Sequence, residues 1–250
     1  MPCSLPVSMD ATCSGLQVLS ILMRDEQTAR KVNVLPSELP QDIYKAVADR
    51  VKLDVEQQAA NSTEANRWLQ FGINRKIVKR NVMTLVYSLK QYGARQQIYD
   101  EYRSIIEFNP DKKVLADDGF SDCRWLAKIV WEKMEQEVEP EMKLMSWFQD
   151  CAKLFAKANL KMKWTTPMGF PVEMDYRSSI SPNLVHSLDG AINQAVALYC
   201  KTHDEPINNL LMVHDSFATT PNRIDQLNKI IRQVVIDLFK EDYLDILYKD

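Results

Sequence analysis

The sequence has few histidines, no closely spaced cysteine pairs and no long apolar run. Three histidines and five scattered cysteines, none of them in a CxxC pair, argue against a zinc site and a disulfide framework. No apolar run approaches the ~18 residues that a membrane span needs, and the N-terminus lacks the features of a signal peptide. The GxxxxGK[ST] loop of P-loop ATPases does not occur. These absences predict a soluble, cytoplasmic protein with reduced cysteines.

The overall composition is that of a folded protein without a strong charge bias. Apolar residues make up 46% of the 250 residues, which is enough for a core in one large or two small domains. The formal net charge of −3 gives no electrostatic argument for binding nucleic acid. Segments of helical and of strand periodicity both occur, so the sequence predicts a mixed helix-and-strand fold.

Two aspartates each follow an apolar strand pattern. The stretch CSLPVSMD alternates apolar and polar residues and ends at Asp10, whereas LLMVHDSFATT predicts a strand, a tight turn carrying Asp215, and a second strand. Two carboxylates brought together from distant strands are suitable ligands for a pair of Mg²⁺ ions. The alternative is that one is a turn residue and the other a helix cap, and for an arbitrary acidic pair that alternative is favoured.

A predicted helix over residues 75 to 88 carries a second pattern. Arg75, Lys79, Met83 and Tyr87 recur every four residues, so they span ~18 Å of one slanted helix face. That length suits an extended nucleoside triphosphate, with cations at the phosphate end and a tyrosine hydroxyl at the sugar end. A solvated charged face explains the same spacing, and spacing alone favours it.

Taken together and in order, these segments resemble the single-subunit RNA polymerase family of phages and mitochondria. CSLPVSMDATCSGLQVLSILMRDE resembles the first catalytic motif of that family, RKIVKRNVMTLVYSLKQYGARQQ the second and LMVHDSFATTP the third. A further family segment resembles PNLVHSLDG, just before the third motif. The resemblance covers most of the chain.

The resemblance implies an α+β fold of right-hand polymerase type. A polymerase palm with a small antiparallel sheet is expected from residues 1–60 and 161–250, and mainly helical fingers from 61–160. The thumb and the N-terminal domain of the family have no counterpart in this sequence. The implied activity is the template-dependent transfer of ribonucleoside monophosphates from NTPs to an RNA 3′-end.

The resemblance also assigns roles to individual residues. Two Mg²⁺ ions are expected at the Asp10 and Asp215 carboxylates and the Ala11 carbonyl. The triphosphate is expected at Arg75, Lys79 and Arg80. The ribose is expected near Tyr87 and His186, and His214 is expected beside the metal aspartate Asp215. Direct catalytic roles are implied for Asp10, Lys79, Tyr87, His214 and Asp215.

Related DNA polymerases and a non-catalytic scaffold of the same fold are the alternatives. Ser216 stands where related DNA polymerases usually have glutamate, and CSG follows Asp10, so both details favour RNA synthesis. Ala11 and Ser88 replace residues that are often glycine in the family, but Ser88 is still expected to follow Tyr87 on the helix.

The sequence begins almost at the first motif, which predicts the catalytic C-terminal subunit of a two-chain phage enzyme in the cytoplasm of the infected host. The partner subunit would supply the thumb and N-terminal region and would cover an apolar seam along the first strand and the 144–158 helix. DNA template, RNA product and NTPs are the other expected partners. A single-stranded-DNA-binding or other recruitment factor is expected to help initiation, since the long promoter-reading hairpin of the family is missing.

Overall fold

A computed structural model describes residues 4–174 and 180–249 of the chain. It is mostly helical, with two small antiparallel sheets, so the α+β prediction is confirmed at this level. The α-helices are α1 (Ser14–Met23), α2 (Glu26–Lys31), α3 (Ile43–Gln58), α4 (Thr63–Phe71), α5 (Arg75–Leu85), α6 (Gln91–Phe108), α7 (Phe120–Glu137), α8 (Glu139–Lys157), α9 (Ile180–Thr202), α10 (Ile224–Leu238) and α11 (Tyr243–Lys249). The strands are β1 (Val7–Asp10), β2 (Met162–Thr165), β3 (Pro171–Met174), β4 (Leu211–Val213) and β5 (Ser216–Thr219). Within these residues, no helix has the length and apolar character to cross a membrane.

The chain divides into two compact units. Met1–Asp25 and Leu144–Asp250 form one, which holds all five of these strands, and Glu26–Lys143 form the other. We call them the sheet unit and the helical unit. The sequence predicts boundaries between palm and fingers at residues 60 and 160, and the boundaries between the compact units follow residues 25 and 143.

The sheet unit is built on a three-stranded antiparallel sheet of order β1-β5-β4. Alternate residues of a strand point to opposite faces, and here Met9 pairs with Phe217 on the face that joins the core. Helices α9 and α10 supply most of that core, including Val196, Leu227 and Val234. The predicted strands and the predicted tight turn between β4 and β5 are confirmed.

The second sheet is a hairpin of β2 and β3 in the segment KMKWTTPMGFPVEM. Its turn is closed by hydrogen bonds from the Gly169 N–H to the Thr166 carbonyl, 2.8 Å, and from the Thr166 N–H to the Phe170 carbonyl, 2.9 Å. Gly169 has φ of 78°, a conformation that costs glycine least.

The helical unit packs α3 against α4, α5 and α7, and α6 against α5 and α7. Its centre includes an aromatic cluster in which the Trp68, Phe71 and Tyr102 rings lie 5.3 to 6.4 Å apart. The buried Asp122 carboxylate accepts two hydrogen bonds of 2.7 Å from the Arg67 guanidinium. A buried charge needs such pairing, so this fork fixes α4 against α7.

Helix α5 is shorter than the sequence predicts. It ends at Leu85, and Ser88 has a left-handed φ of 65°, so the prediction that Ser88 follows Tyr87 on a helix is wrong. The Leu89 N–H bonds to the Thr84 carbonyl at 3.3 Å, which closes the turn after the helix. A left-handed residue just past a helix end is a common helix stop, usually filled by glycine.

Candidate active site

The β1–β5 ladder brings the two predicted metal-binding aspartates to one end of the sheet. Asp10 is the Cα partner of Ser216, and Ser216 in turn pairs with Val213 across the hairpin. Asp215 directly precedes Ser216, so it lies next to the residue that faces Asp10. Residues far apart in sequence are therefore neighbours through backbone pairing alone.

Asp215 belongs to the two-residue turn between β4 and β5. The first residue of that turn, His214, has a φ of 53°, as two-residue hairpin turns require at this position. Asp215 is half-buried, while His214 and Asp10 are exposed. Of the alternative explanations, Asp215 is indeed a turn residue, but Asp10 does not cap a helix, because the N-cap of α1 is Cys13.

Helix α9 adds two titratable side chains to this end of the sheet unit. Burial raises the pKa of Asp189 and the negative charge of Asp215 raises it further, whereas His186 and His214 lower it. The four side chains are thus electrostatic neighbours. Asp189 was not predicted as a site residue, although its i, i+3 spacing from His186 in the PNLVHSLDG segment places both on one helix face.

The donor set fits a hard divalent cation. Mg²⁺ takes oxygen ligands, often only one or two carboxylates, and completes its shell with water and substrate phosphates. Asp10 and Asp215 supply two carboxylates, and the half-buried Ala11 follows Asp10 in the loop before α1. The negative charges of Asp215 and Asp189 disfavour one another, and a cation would offset this repulsion. Among residues 4–174 and 180–249, no three His, Cys, Asp or Glu side chains cluster as a complete metal site.

The predicted triphosphate-binding cations lie in the helical unit, on the exposed side of α5. The Arg75 guanidinium lies 4.7 Å from the centre of the Tyr44 ring, and the Lys79 ammonium lies 6.0 Å from the same ring. Arg80 is exposed and forms a 3.6 Å ion pair with Asp100. Tyr87 is half-buried in the turn after α5, rather than on the helix as predicted.

The predicted site residues therefore fall into two groups. Asp10, Ala11, His186, His214 and Asp215 belong to the sheet unit. Arg75, Lys79, Arg80 and Tyr87 belong to the helical unit. The two aspartates of the first group suit a cation, and the three cationic side chains of the second suit an anion.

Comparison with known proteins decides the family. A family model described as DNA-dependent RNA polymerase matches residues 1–180 and 177–250. The chain belongs to this family. The resemblance that the catalytic motifs indicated is thereby confirmed, and the alternative of a DNA polymerase is not favoured by this match.

This member of the polymerase family has relatives in phages and in plants. It is 30% identical to the DNA-directed RNA polymerase of Enterobacteria phage T3 over 96% of this chain and 35% of the phage protein. Its identity to the T7 RNA polymerase of Escherichia phage T7 is also 30%, over 95% of this chain and 35% of that protein. DNA-directed RNA polymerase 2A of Nicotiana tabacum is 31% identical over 96% of this chain and 81% of the plant sequence. The chain thus spans about a third of the phage polymerases.

Proposed function

We propose that this chain carries the nucleotidyl-transfer centre of a DNA-directed RNA polymerase. It would add ribonucleoside monophosphates from NTPs to the 3′-end of an RNA paired with a DNA template. The observation that carries the proposal is the register of the β1–β5 ladder, which sets Asp10 opposite Ser216, next to Asp215. Two carboxylates delivered by separate strands to one point are what two-metal nucleotidyl transfer requires.

The sheet unit would serve as the palm of the polymerase. Asp10, Asp215 and the Ala11 carbonyl would hold two Mg²⁺ ions. When bound, the ions would activate the primer 3′-hydroxyl and stabilise the leaving pyrophosphate. The His214 side chain flanks Asp215, and His186 on α9 would lie near the ribose.

The helical unit would serve as the fingers. Arg75, Lys79 and Arg80 would bind the triphosphate, because cations at the exposed N-terminal part of a helix offset phosphate charge. The Tyr87 hydroxyl would contact the ribose and help the enzyme choose ribonucleotides. Tyr87 lies in the turn after α5, directly before the left-handed Ser88.

The test is ribonucleotide incorporation on a primed RNA/DNA hybrid with Mg²⁺. The Asp215→Asn variant should lose incorporation by at least about 100-fold, since the carboxylate would bind the catalytic cation. Asp204→Asn is the matched control, because Asp204 is an exposed aspartate of the same unit outside the site. In a preparation in which the unaltered chain incorporates ribonucleotides, equal activity in Asp215→Asn would refute the proposed metal-binding role of Asp215.

We further propose that polymerase segments absent from this sequence cover exposed apolar residues of two segments of the sheet unit, the first strand with the residues just before it and helix α8. Leu5 and Val7 are 74% and 41% exposed, and on α8 Trp147, Leu154 and Phe155 are 42%, 64% and 40% exposed. Exposed apolar patches of this kind mark interaction sites. The phage relatives, of which this chain spans about a third, contain the additional segments that could cover them.

A reconstitution experiment tests this partner. A polypeptide homologous to the uncovered part of the relatives should form a stable complex with the chain and raise incorporation. Leu154→Glu should weaken that complex, whereas Leu198→Glu, an exposed leucine on α9, should not. Full activity and monodisperse behaviour of the chain alone would contradict a required partner.

Initiation on duplex and on single-stranded templates, each with and without single-stranded-DNA-binding protein, tests the need for a recruitment factor.

A further inference from the structure

The aromatic ring of Tyr44 lies beside both cations that are proposed to bind the triphosphate. Tyr44 is on α3 and only 4% exposed, so its ring is held by the core of the helical unit. The Arg75 and Lys79 cationic groups lie 4.7 and 6.0 Å from the ring centre. Both distances are within the ~6 Å at which a ring face attracts a cation.

Asp42 holds the same arginine from a second direction. One carboxylate oxygen accepts hydrogen bonds from the backbone N–H groups of Tyr44 and Lys45, at 3.0 and 3.1 Å, and so caps α3. The other oxygen accepts a 2.6 Å hydrogen bond from the Arg75 Nε–H. Because the carboxylate is tied to the backbone, its hydrogen bond restrains the position of the guanidinium.

The ion pair with Asp42 leaves the outer edge of the Arg75 guanidinium available to an anion. Asp42 bonds to Nε, so the two terminal nitrogens can form a bidentate pair of hydrogen bonds with phosphate oxygens. The arginine and aspartate side chains are 46% and 33% exposed, and ion pairs this exposed contribute little to folding stability. The main physical consequence of the contact is therefore orientation.

We propose that Asp42 and Tyr44 are positioning residues that pre-orient Arg75 and Lys79 for the triphosphate. This inference rests on the proposed function of the helical unit. The platform formed by Asp42 and Tyr44 holds two flexible cationic side chains near their bound geometry, so less side-chain entropy is lost when the anion binds. Both cations also lie in the first half of α5, where the helix dipole favours an anion.

The experiment measures binding of inorganic tripolyphosphate to the full chain by calorimetry, without added metal. Tyr44 is replaced by Phe and then by mono-, di- and trifluorinated phenylalanine, which weaken the charge distribution of the ring but keep its shape. We expect Tyr44→Phe to bind within about 2-fold of the unaltered chain and the trifluorinated ring to bind about 3-fold more weakly. Thermal unfolding of each variant checks that the fold is retained.

Asp42→Asn separates orientation from charge. Asparagine keeps the N-cap of α3, and removal of a negative charge should by itself tighten anion binding. If Asp42 orients Arg75, binding should instead weaken, by about 2-fold or more. Weakening therefore has the opposite sign to the simple charge effect and supports positioning.

The remaining outcomes separate this inference from the proposed function. Binding that falls in Arg75→Ala and Lys79→Ala but is unchanged or tighter across the fluorinated series, or tighter in Asp42→Asn, overturns the platform alone. No tripolyphosphate binding by the unaltered chain, or binding that does not depend on Arg75 and Lys79, overturns the platform and the proposed triphosphate site together.

Discussion

Asp10 lies directly opposite Ser216 in the antiparallel β1–β5 ladder, one residue from Asp215. This pairing fixes the candidate metal site, because a slip of one residue in an antiparallel register moves side chains to the opposite face. The Met9–Phe217 pair anchors the register, since both residues contribute to the core formed with α9 and α10. The geometry of the site thus depends on hydrophobic packing on the other face of the same sheet.

The Tyr87 hydroxyl should determine the preference for ribonucleotides. Tyr87→Phe removes one hydrogen-bonding group, and we expect the ratio of ribonucleotide to deoxyribonucleotide incorporation to fall by about 10-fold. Incorporation of each nucleotide on the same primed hybrid measures the ratio. Tyr99→Phe is the matched control, because Tyr99 packs on Phe120 in α7 of the same unit. An unchanged ratio in Tyr87→Phe would exclude this role.

Replacing Ser88 by glycine should stabilise the helical unit. Ser88 has φ of 65°, which strains a residue with a Cβ by about 1–2 kcal/mol, and the extra freedom of glycine in the unfolded chain cancels part of this gain. We expect a net gain of about 0.5–1 kcal/mol in the free energy of unfolding by urea. Ser104→Gly, in the middle of α6, should instead destabilise by a similar amount. A loss of stability in Ser88→Gly would contradict the strain argument.

Local patterns were sufficient to predict the strands that carry the candidate metal site. Period-two alternation before Asp10 and around Asp215 predicted β1 and the β4–β5 hairpin, and both are present. The pattern failed at the end of α5, because apolar residues continue through Val86 and nothing in the spacing marks the left-handed Ser88.

Contacts between separate helices could not be predicted from the sequence. The stripe of Arg75 and Lys79 is visible in the spacing, but their shared contact with Tyr44 depends on how α3 packs against α5. Asp189 was missed for a related reason. The electrostatic interaction of Asp189 with Asp215 depends on how α9 lies near the β4–β5 turn, whereas the sequence shows only that Asp189 is close to His186.

A methyl group at Gly119 should disrupt the aromatic cluster of the helical unit. Gly119 has φ of 86°, and an added Cβ would overlap the buried Tyr102 ring. Backbone strain plus overpacking should lower the free energy of unfolding by about 3 kcal/mol in Gly119→Ala. Gly169→Ala isolates the strain, because Gly169 has φ of 78° but no atom within 4 Å of an added Cβ. We expect about 1 kcal/mol there, and equal losses in the two variants would rule out the steric contribution.

The stability of the sheet unit should fall between pH 9 and pH 11 because of Cys200. Burial raises the pKa of the Cys200 thiol from 9.0 to about 11, and the side chain is 1% exposed within the core of α9 and α10. In this pH range the unfolded chain releases the thiol proton while the folded chain retains it. A rise in pH therefore favours unfolding, by up to about 2–3 kcal/mol at pH 11.

Urea unfolding at several pH values measures this slope, and Cys200→Ala should reduce it. The alanine variant is destabilised at every pH by the lost packing, so the comparison concerns the change with pH and not the absolute stability. At pH 9 the folded protein should also resist alkylation at Cys200, since only the thiolate reacts and the folded thiol stays protonated. An identical pH slope in the alanine variant, or rapid alkylation of Cys200 in the folded chain, would show that burial does not hold this thiol neutral.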